Sequence, residues 1–245
     1  MYSAQSKPVV SVVMVTYNCV ETIEKTVTSI CKAKEYSPGF FEFIVIDGLS
    51  SDGTVSKLEK YSSQIDILIS EKDKGIYNAM NKGILNSQGA WVLFLNDGDL
   101  LIEPAGLTRL FSGRDLSQYD CVVSTVHLSN GQLFKPMIGF KLKIANTMHH
   151  QGLFYKRTES LFFNEGYKVF SDFDLNQKYV KQGKRFLLLD NVFTYHSLNG
   201  VSNRNGVETE FFNIVKKNQG MMIFFISYFY FKIRGLRCRV RKLFS

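Results

Sequence analysis

Ala90-Trp91-Val92-Leu93-Phe94-Leu95-Asn96-Asp97-Gly98-Asp99-Leu100-Leu101 is the stretch that decides the fold. Ala90 to Leu95 is an unbroken apolar run with Val and two aromatics, which suits a strand buried on both faces. It stops at Asn96-Asp97-Gly98-Asp99. Two carboxylates at the carboxyl end of a buried strand repel and raise each other's pKa. A divalent cation removes that conflict, because hard oxygen ligands suit Mg2+ or Mn2+, and such an ion in turn holds a diphosphate. The competing reading is an Asp-Gly turn that merely leaves the sheet.

The rest of the chain weighs between them. Its 245 residues, 45% hydrophobic and 21% charged, are enough for one large domain with a real core, or for one domain with an appendage. Four scattered cysteines without a C-x-x-C pair argue for reduced thiols in a cytoplasmic setting, against zinc or a disulfide frame. The opening residues lack the pattern of a secretory signal, so no targeting segment is expected. Of the net charge of +8, six charges come from Lys232, Arg234, Arg237, Arg239, Arg241 and Lys242, with no acid among them. The body is therefore near neutral, and the basic pI belongs to the tail and not to a nucleic-acid-binding face.

Outward from the opening stretch, strands and helices alternate. Val9 to Val15 reads as a β-branched strand ending at Thr16-Tyr17-Asn18, and Val20, Ile23, Val27 and Ile30 form the apolar stripe of a helix. Phe43 to Ile46 is a strand ending at Asp47-Gly48, and Ser51-Asp52-Gly53-Thr54 opens a second helix. Ile65 to Ile69 is a third strand, and Ile76 to Leu85 a third helix. Such alternation implies a mostly parallel, doubly wound α/β sheet with helices on both faces. Ligands of these sheets bind beyond the carboxyl ends of the strands, where strand order reverses. Thr16 to Asn18, Asp47, Glu71 to Gly75 and Asp97/Asp99 all fall at that edge, a surplus of acids that a plain loop model does not predict. There is no G-x-G-x-x-G after the first strand and no G-x-x-x-x-G-K-[ST] anywhere. Dinucleotide oxidoreductases and P-loop ATPases thereby lose their main support, and a metal at Asp97/Asp99 becomes the natural diphosphate holder.

Thr16-Tyr17-Asn18, Asp47-Gly48-Leu49-Ser50-Ser51-Asp52-Gly53-Thr54, Asp73-Lys74-Gly75-Ile76-Tyr77-Asn78-Ala79-Met80-Asn81-Lys82-Gly83 and Asn96-Asp97-Gly98-Asp99 follow one another in an order and spacing that resembles the family 2 glycosyltransferases. The likeness covers roughly residues 9 to 202. It implies the GT-A fold and an inverting transferase that uses a divalent metal, Mg2+ or Mn2+, to move a sugar from a nucleotide-sugar to an acceptor hydroxyl. It also implies that Tyr17 and Asp47 contact the base, with Thr16, Asn18 and Asp73 on the same nucleotide side, and that Asp99 ligates the metal. Asp97 either ligates metal or touches ribose, and Asn96 is expected on the substrate. The chain departs from the family in three places. Gly98 stands where many relatives have an acid, Gly75 lies nearest to a base-facing Arg, and Asn78 replaces a common Asp.

In the second half, Pro104 to Phe111 reads as a helix, Cys121 to Val126 as a strand and Ser129-Asn130-Gly131 as a hairpin turn. Adjacent histidines in Met148-His149-His150-Gln151-Gly152 point in different directions and make a poor chelate. The resemblance puts His150 and Gln151 on the donor sugar, against a satisfied loop histidine. Ser171-Asp172-Phe173-Asp174 opens another helix. Inverting transfer needs a carboxylate base for the acceptor hydroxyl, while metal stabilises the leaving diphosphate. Asp172 matches the family's base position, and the alternative is an N-cap aspartate. Asp174 is then structural or an acceptor contact, and this second D-x-D ranks below Asp97/Asp99 for metal. Phe186 to Leu189 and Val192 to Thr194 read as strand. In Tyr195-His196-Ser197-Leu198-Asn199-Gly200-Val201-Ser202 the Gly-Val-Ser end resembles a loop that closes over the diphosphate, with His196 a contact to metal or to the substrate's phosphate, or a plain loop residue.

Met221 to Phe231, apolar apart from Ser227, is eleven residues long, and a bilayer span needs about 20. Ile233, Leu236, Val240 and Leu243 recur at helical spacing among the six cations. Such a helix suits an anionic membrane surface, or else packs on the body or in a dimer. The expected organisation is thus a GT-A domain over residues 1–215 and a basic amphipathic tail over 216–245. The expected protein is a peripheral glycosyltransferase on the cytoplasmic face of the plasma membrane. It takes a UDP-sugar in preference to a GDP-sugar and extends a lipid-linked or surface-polysaccharide acceptor. A nucleotidyltransferase would need a Gly-rich basic loop where Thr16-Tyr17-Asn18-Cys19 stands, and a nucleotide-binding scaffold without catalysis is the third reading.

Overall fold

The computed structural model describes residues 7–198 and 207–243, with side chains as far as residue 234. The first half is the expected alternation: β1 (Val10–Thr16), α1 (Ile23–Tyr36), β2 (Phe41–Asp47), α2 (Thr54–Glu59), β3 (Ile67–Ser70), α3 (Ile76–Asn86) and β4 (Trp91–Phe94). β1, β2 and β4 are buried along their whole length, as continuous apolar runs require. Side chains of β1 alternate between two layers. Val12 and Met14 pack with Ile23, Val27 and Ile30 of α1, and Val13 and Val15 pack with Met80 and Ile84 of α3. Gly83 lets α3 lie directly on the sheet, because a Cβ there would stand 2.3 Å from Val13 Cγ1.

The second half runs through β5 (Leu100–Leu101), α4 (Pro104–Gly113), β6 (Cys121–Leu128), β7 (Leu133–Phe134), α5 (Phe140–Ile144) and a 3-10 turn (His150–Gly152). β8 (Leu153–Lys156), α6 (Ser171–Lys181), β9 (Phe186–His196) and α7 (Glu208–Leu243) complete it. One sheet joins everything in the order β3-β2-β1-β4-β8-β6-β9-β5, with β7 on β6. β3, β2, β1 and β4 are mutually parallel, whereas β8 runs antiparallel to both β4 and β6. The chain leaves β1 toward β2 and β3, then returns to β1's other side at β4. The switch point therefore lies between the ends of β1 and β4, where Thr16 to Asn18 and Asn96 to Asp99 emerge.

Three local expectations shift. Val20 is not in α1; its N–H donates to Asp52 Oδ2 at 2.9 Å in the preceding turn. Phe186 to Leu189 and Val192 to Thr194 belong to one strand, β9, whose pairing with β6 slips around Thr125. The helix at the chain's end begins well before residue 216 and is broken at Gly220 (φ 83°, ψ 175°). Ile214 and Val215 are fully buried against the sheet-side core, so the expected boundary between 215 and 216 falls within the packed segment of α7. Gly200-Val201-Ser202 and the side chains beyond residue 234, including Leu236, Val240 and Leu243, lie outside the described residues.

Candidate active site

At the end of β1, Asn18 adopts a left-handed conformation (φ 48°) that asparagine tolerates better than most residues. Its N–H donates to Ser50 Oγ at 2.8 Å, and its Oδ1 accepts from Ser51 N at 2.9 Å. Asn18 thereby latches the loop after β1 to the loop after β2. Asp47 is fully buried and holds the second loop, accepting from Ser50 N at 2.9 Å, Ser50 Oγ and Ser70 Oγ at 2.6 Å. Its carboxylate is directed at the protein and ties the loop after β2 to the end of β3. Thr16 is also buried, in contact with Cys19. Tyr17 is 65% exposed. It lies beside Gly48 and Asp73: a Cβ on Gly48 would meet Asp73 Oδ2 at 2.7 Å and Tyr17 Cδ2 at 3.2 Å. The aromatic ring and the carboxylate therefore lie side by side over the buried backbone of Gly48.

The Asn96–Asp99 turn is held by Gly98 (φ 83°), whose N–H donates to Thr26 Oγ1 at 3.0 Å. Asp99 is 1% exposed and fully engaged by protein donors. Oδ2 accepts from Asn96 N and Gln151 Nε2, both at 3.0 Å; Oδ1 takes His196 Nδ1 at 2.7 Å and Ser197 N at 3.2 Å. Asp97 differs. Oδ2 accepts from Thr22 Oγ1 at 2.6 Å, while Oδ1 is buried without a partner. Burial, and then the charge of Asp99, raises the pKa of Asp97.

Asn96 Oδ1 and Gln151 Oε1 are likewise buried oxygens without a donor. Buried oxygens of this kind are open to a ligand that supplies the missing contact, and oxygen donors are the type that Mg2+ or Mn2+ takes. Among the described residues no group of three or more His, Cys, Asp and Glu side chains is arranged around a common ion position. Metal binding at Asp99 would displace one of its present donors.

The base candidate approaches from the other side. Asp172, 5% exposed at the start of α6, accepts from its neighbour Phe173 N at 2.8 Å and from the buried Tyr77 hydroxyl at 3.3 Å through Oδ1. Tyr77 shares its single hydroxyl proton between Asp172 and the nearer Val169 O, and burial and Asp172 raise its pKa far above the usual range, so it stays a donor. Asp172 Oδ2 lies 3.4 Å from His150 Nδ1, and His150 Nε2 lies 3.1 Å from Asn96 Nδ2. The Asn96 amide hands its N–H to Nε2, which leaves the imidazole proton on Nδ1, facing the carboxylate. One imidazole therefore connects the carboxylate turn after β4 to Asp172.

Asp174 goes elsewhere. It is 1% exposed, pairs with Lys178 at 2.6 Å and accepts from Asn218 Nδ2 of α7 at 2.9 Å. The second D-x-D is thus split, one carboxylate toward the site and one toward α7. His149, next to His150, stacks edge-on against Phe134 at 4.3 Å and faces His196 at 5.1 Å. Burial, reinforced by His196 and His150, pushes its pKa down to about 4.

Sequence reasoning missed Tyr77 as the donor to Asp172, and it missed Glu210. The Glu210 carboxylate accepts the N–H groups of Lys168, Val169 and Phe170 at 2.7, 2.9 and 2.8 Å, fixing the chain just before α6. Neither carries a local signal, since each acts on a segment distant in sequence. The departure at Asn78 acquires a reason. Its Nδ2 donates to Glu165 Oε2 at 3.0 Å, and an aspartate there would set two carboxylates against each other.

Fold and site together define an α/β protein of the GT-A class, with its polar groups gathered at the switch point of the sheet. The chain belongs to glycosyl transferase family 2, whose sequence profile matches residues 11–178. A PGL/p-HBAD biosynthesis glycosyltransferase of Mycobacterium bovis is 30% identical over 184 residues, covering 69% of this chain and 68% of the relative. The putative teichuronic acid biosynthesis glycosyltransferase TuaG of Bacillus subtilis is 35% identical over 96 residues, 38% of this chain and 37% of TuaG. Among solved structures, residues 1–349 of S. aureus TarS in complex with UDP-GlcNAc align with a TM-score of 0.67 at 19% identity, covering 84% of this chain and 64% of that one. The mannosyltransferase PcManGT from Pyrobaculum calidifontis, in complex with GDP-Man and Mn2+, aligns with a TM-score of 0.60 at 17% identity, covering 93% and 65%. The chain spans 38% of a longer TarS chain.

Proposed function

We propose that the protein is an inverting glycosyltransferase that takes its sugar from a nucleoside-diphosphate donor, a UDP-sugar before a GDP-sugar. The observation that supports this reading is the Asn96–His150–Asp172 connection, in which Asp172, the carboxylate read as the base, lies one imidazole away from the carboxylate turn. Asp172 receives the proton of the acceptor hydroxyl as that oxygen attacks C1 of the sugar. The bond from C1 to the diphosphate oxygen breaks, the nucleoside diphosphate departs, and C1 inverts. Asp97 and Asp99, with Asn96, would hold Mg2+ or Mn2+, which when bound stabilises the negative charge of the leaving diphosphate. Tyr17 and Asp73 flank Gly48 as the surface for the base. Thr16, Asn18 and Asp47 hold the loops that frame it. His150 and Gln151 line the sugar side, and His196 fixes Asp99.

The acceptor we propose is a lipid-linked or surface-polysaccharide precursor at the cytoplasmic face of the plasma membrane, with the protein bound peripherally. The cation-rich end of the chain supports this, and the Mycobacterium and Bacillus relatives are named for glycan or glycolipid biosynthesis. Among the described residues no helix is long and apolar enough to cross a membrane. The test is a screen of nucleotide-sugars with Mn2+ or Mg2+, read by mass spectrometry of donor consumption. Turnover of none of them, with no metal-linked binding of UDP or GDP by calorimetry, would leave a scaffold in place of an enzyme.

A further inference from the structure

Helix α7 changes character at Gly220. Before the break, Phe211, Ile214 and Val215 are buried, and Phe211 stacks on Phe173 at 4.9 Å. After it, one face remains attached to the body. Ser227 is fully buried and donates to Ile144 O at 2.7 Å, and Lys141 Nζ lies 3.2 Å from the Tyr230 hydroxyl. Ile223, Phe224 and Phe231 pack on the core from the same side. The opposite face carries Met222, Phe225, Ile226, Phe229 and Ile233, exposed by 72, 49, 39, 59 and 51%. Their spacing makes a single outer stripe about three turns long. Because the inner face is pinned, the helix cannot roll these side chains inward.

Charge indicates what covers the stripe. Glu210 is the last acid of the chain, and eight cations follow it: Lys216, Lys217, Lys232, Arg234, Arg237, Arg239, Arg241 and Lys242. Large apolar side chains followed by a run of cations with no acid among them in the sequence match the acyl boundary and phosphate layer of an anionic bilayer. A second copy of this chain would bring the same cations together and repel.

We propose that the outer face of residues 221–234 docks on an anionic lipid bilayer and thereby turns the acceptor side of the site toward it. The inference rests on the membrane reading above and specifies the surface responsible. It also moves the apolar contact from residues 233–243, where the sequence pattern put it, to the segment just after Gly220. The coupling to the site is short. Asn218, two residues before the break, bonds to Asp174, itself two residues from Asp172, and Ile144, which anchors Ser227, lies six residues before His150.

The experiment is flotation of the full chain with vesicles of phosphatidylcholine alone or mixed with phosphatidylglycerol. The wild type should float with the anionic vesicles and far less with the neutral ones. Met222→Ser/Phe225→Ser/Phe229→Ser should lower the bound fraction about tenfold or more, with melting temperature and nucleotide binding unchanged because all three positions are exposed. Lys232→Glu/Arg234→Glu should remove the preference for anionic lipid. A triple variant that floats like the wild type would overturn the assigned face while leaving membrane binding itself in place. A wild type that stays in the pellet fraction would remove both. A concentration-dependent dimer dispersed by the triple substitution, without flotation, would make this face an interface between copies and sink the proposal.

Discussion

His150 Nδ1 stands 3.4 Å from Asp172 Oδ2, with the other ring nitrogen 3.1 Å from the side-chain amide of Asn96. Two segments 54 residues apart, the turn after β4 and the 3-10 turn before β8, thus meet on one imidazole. If Asp172 is the base, Asp172→Asn should lower transfer by about 10²- to 10⁴-fold. UDP affinity should stay within about twofold, since the isosteric amide keeps its contacts to Tyr77 and Phe173. Steady-state kinetics and calorimetry on the same preparation check this, and equal loss of both would point to a structural role.

Asp97 carries the orphaned oxygen, and burial raises its pKa. Asp97→Asn keeps an acceptor for Thr22 but deletes the charge. We expect metal-linked nucleotide affinity to drop by about tenfold or more. The metal-free melting temperature should stay level or rise, because a half-buried carboxylate close to the charge of Asp99 opposes folding. Calorimetry with and without Mn2+ reads the first effect, thermal melting the second.

Asp174 joins α6 to α7 through Lys178 and Asn218. Asp174→Ala should cost about 1–3 kcal/mol of stability by removing the Lys178 ion pair and one of the two acceptors of the Asn218 amide, leaving only Gln177 Oε1. Nucleotide affinity in the folded protein should not change. Urea unfolding measures the loss, and an unchanged midpoint with a raised acceptor KM would make Asp174 an acceptor contact.

His149 gives the fold a pH dependence. Its folded pKa is about 4, against roughly 6.5 when unfolded. Between those values the unfolded chain takes up a proton that the native one refuses, so stability is complete above about pH 6.5 and falls as the pH drops toward 4. The loss is on the order of 3 kcal/mol at its limit. His149→Phe should flatten that part of the profile in urea titrations. Phe134, His150, His196, Asp99 and Asp172 surround the group and remain in the variant.

Gly152 is required by a close approach. A Cβ there would stand 2.6 Å from Val126 Cγ2 and 2.7 Å from the Ser124 carbonyl oxygen. Gly152→Ala should cost about 1–3 kcal/mol. It should also lower turnover, because the strain falls on the turn that carries His150 and Gln151. Urea unfolding and kcat together check the pairing of effects.

The first half of the fold was legible from Val9 to Leu95 because β1, β2 and β4 are buried on both faces, β3 is a short apolar run at the edge, and the helices between them carry an apolar stripe. The site edge was legible for the same reason: acids recurred where the apolar runs stopped. What escaped was made by partners far apart in the chain. Nothing local marks Tyr77 as a donor to Asp172, 95 residues on, or Glu210 as the cap for residues 168–170. Asp172 and Asp174 look alike in sequence, and only packing against α7 separates them. Asp47 is legible as an acid at the end of its strand, but only the tertiary structure shows its carboxylate accepting from Ser50 and Ser70.

By itself, then, the sequence determined the parallel half of the sheet and the edge where its ligands gather, because hydrophobic periodicity and the chemistry of strand ends are local properties. Tertiary structure alone decided which carboxylate faces the imidazole, which oxygens lack partners and which face of the last helix stays bare. Those depend on the directions of side chains brought together over tens of residues, and a one-residue change of direction on a helix moves a group from site to core.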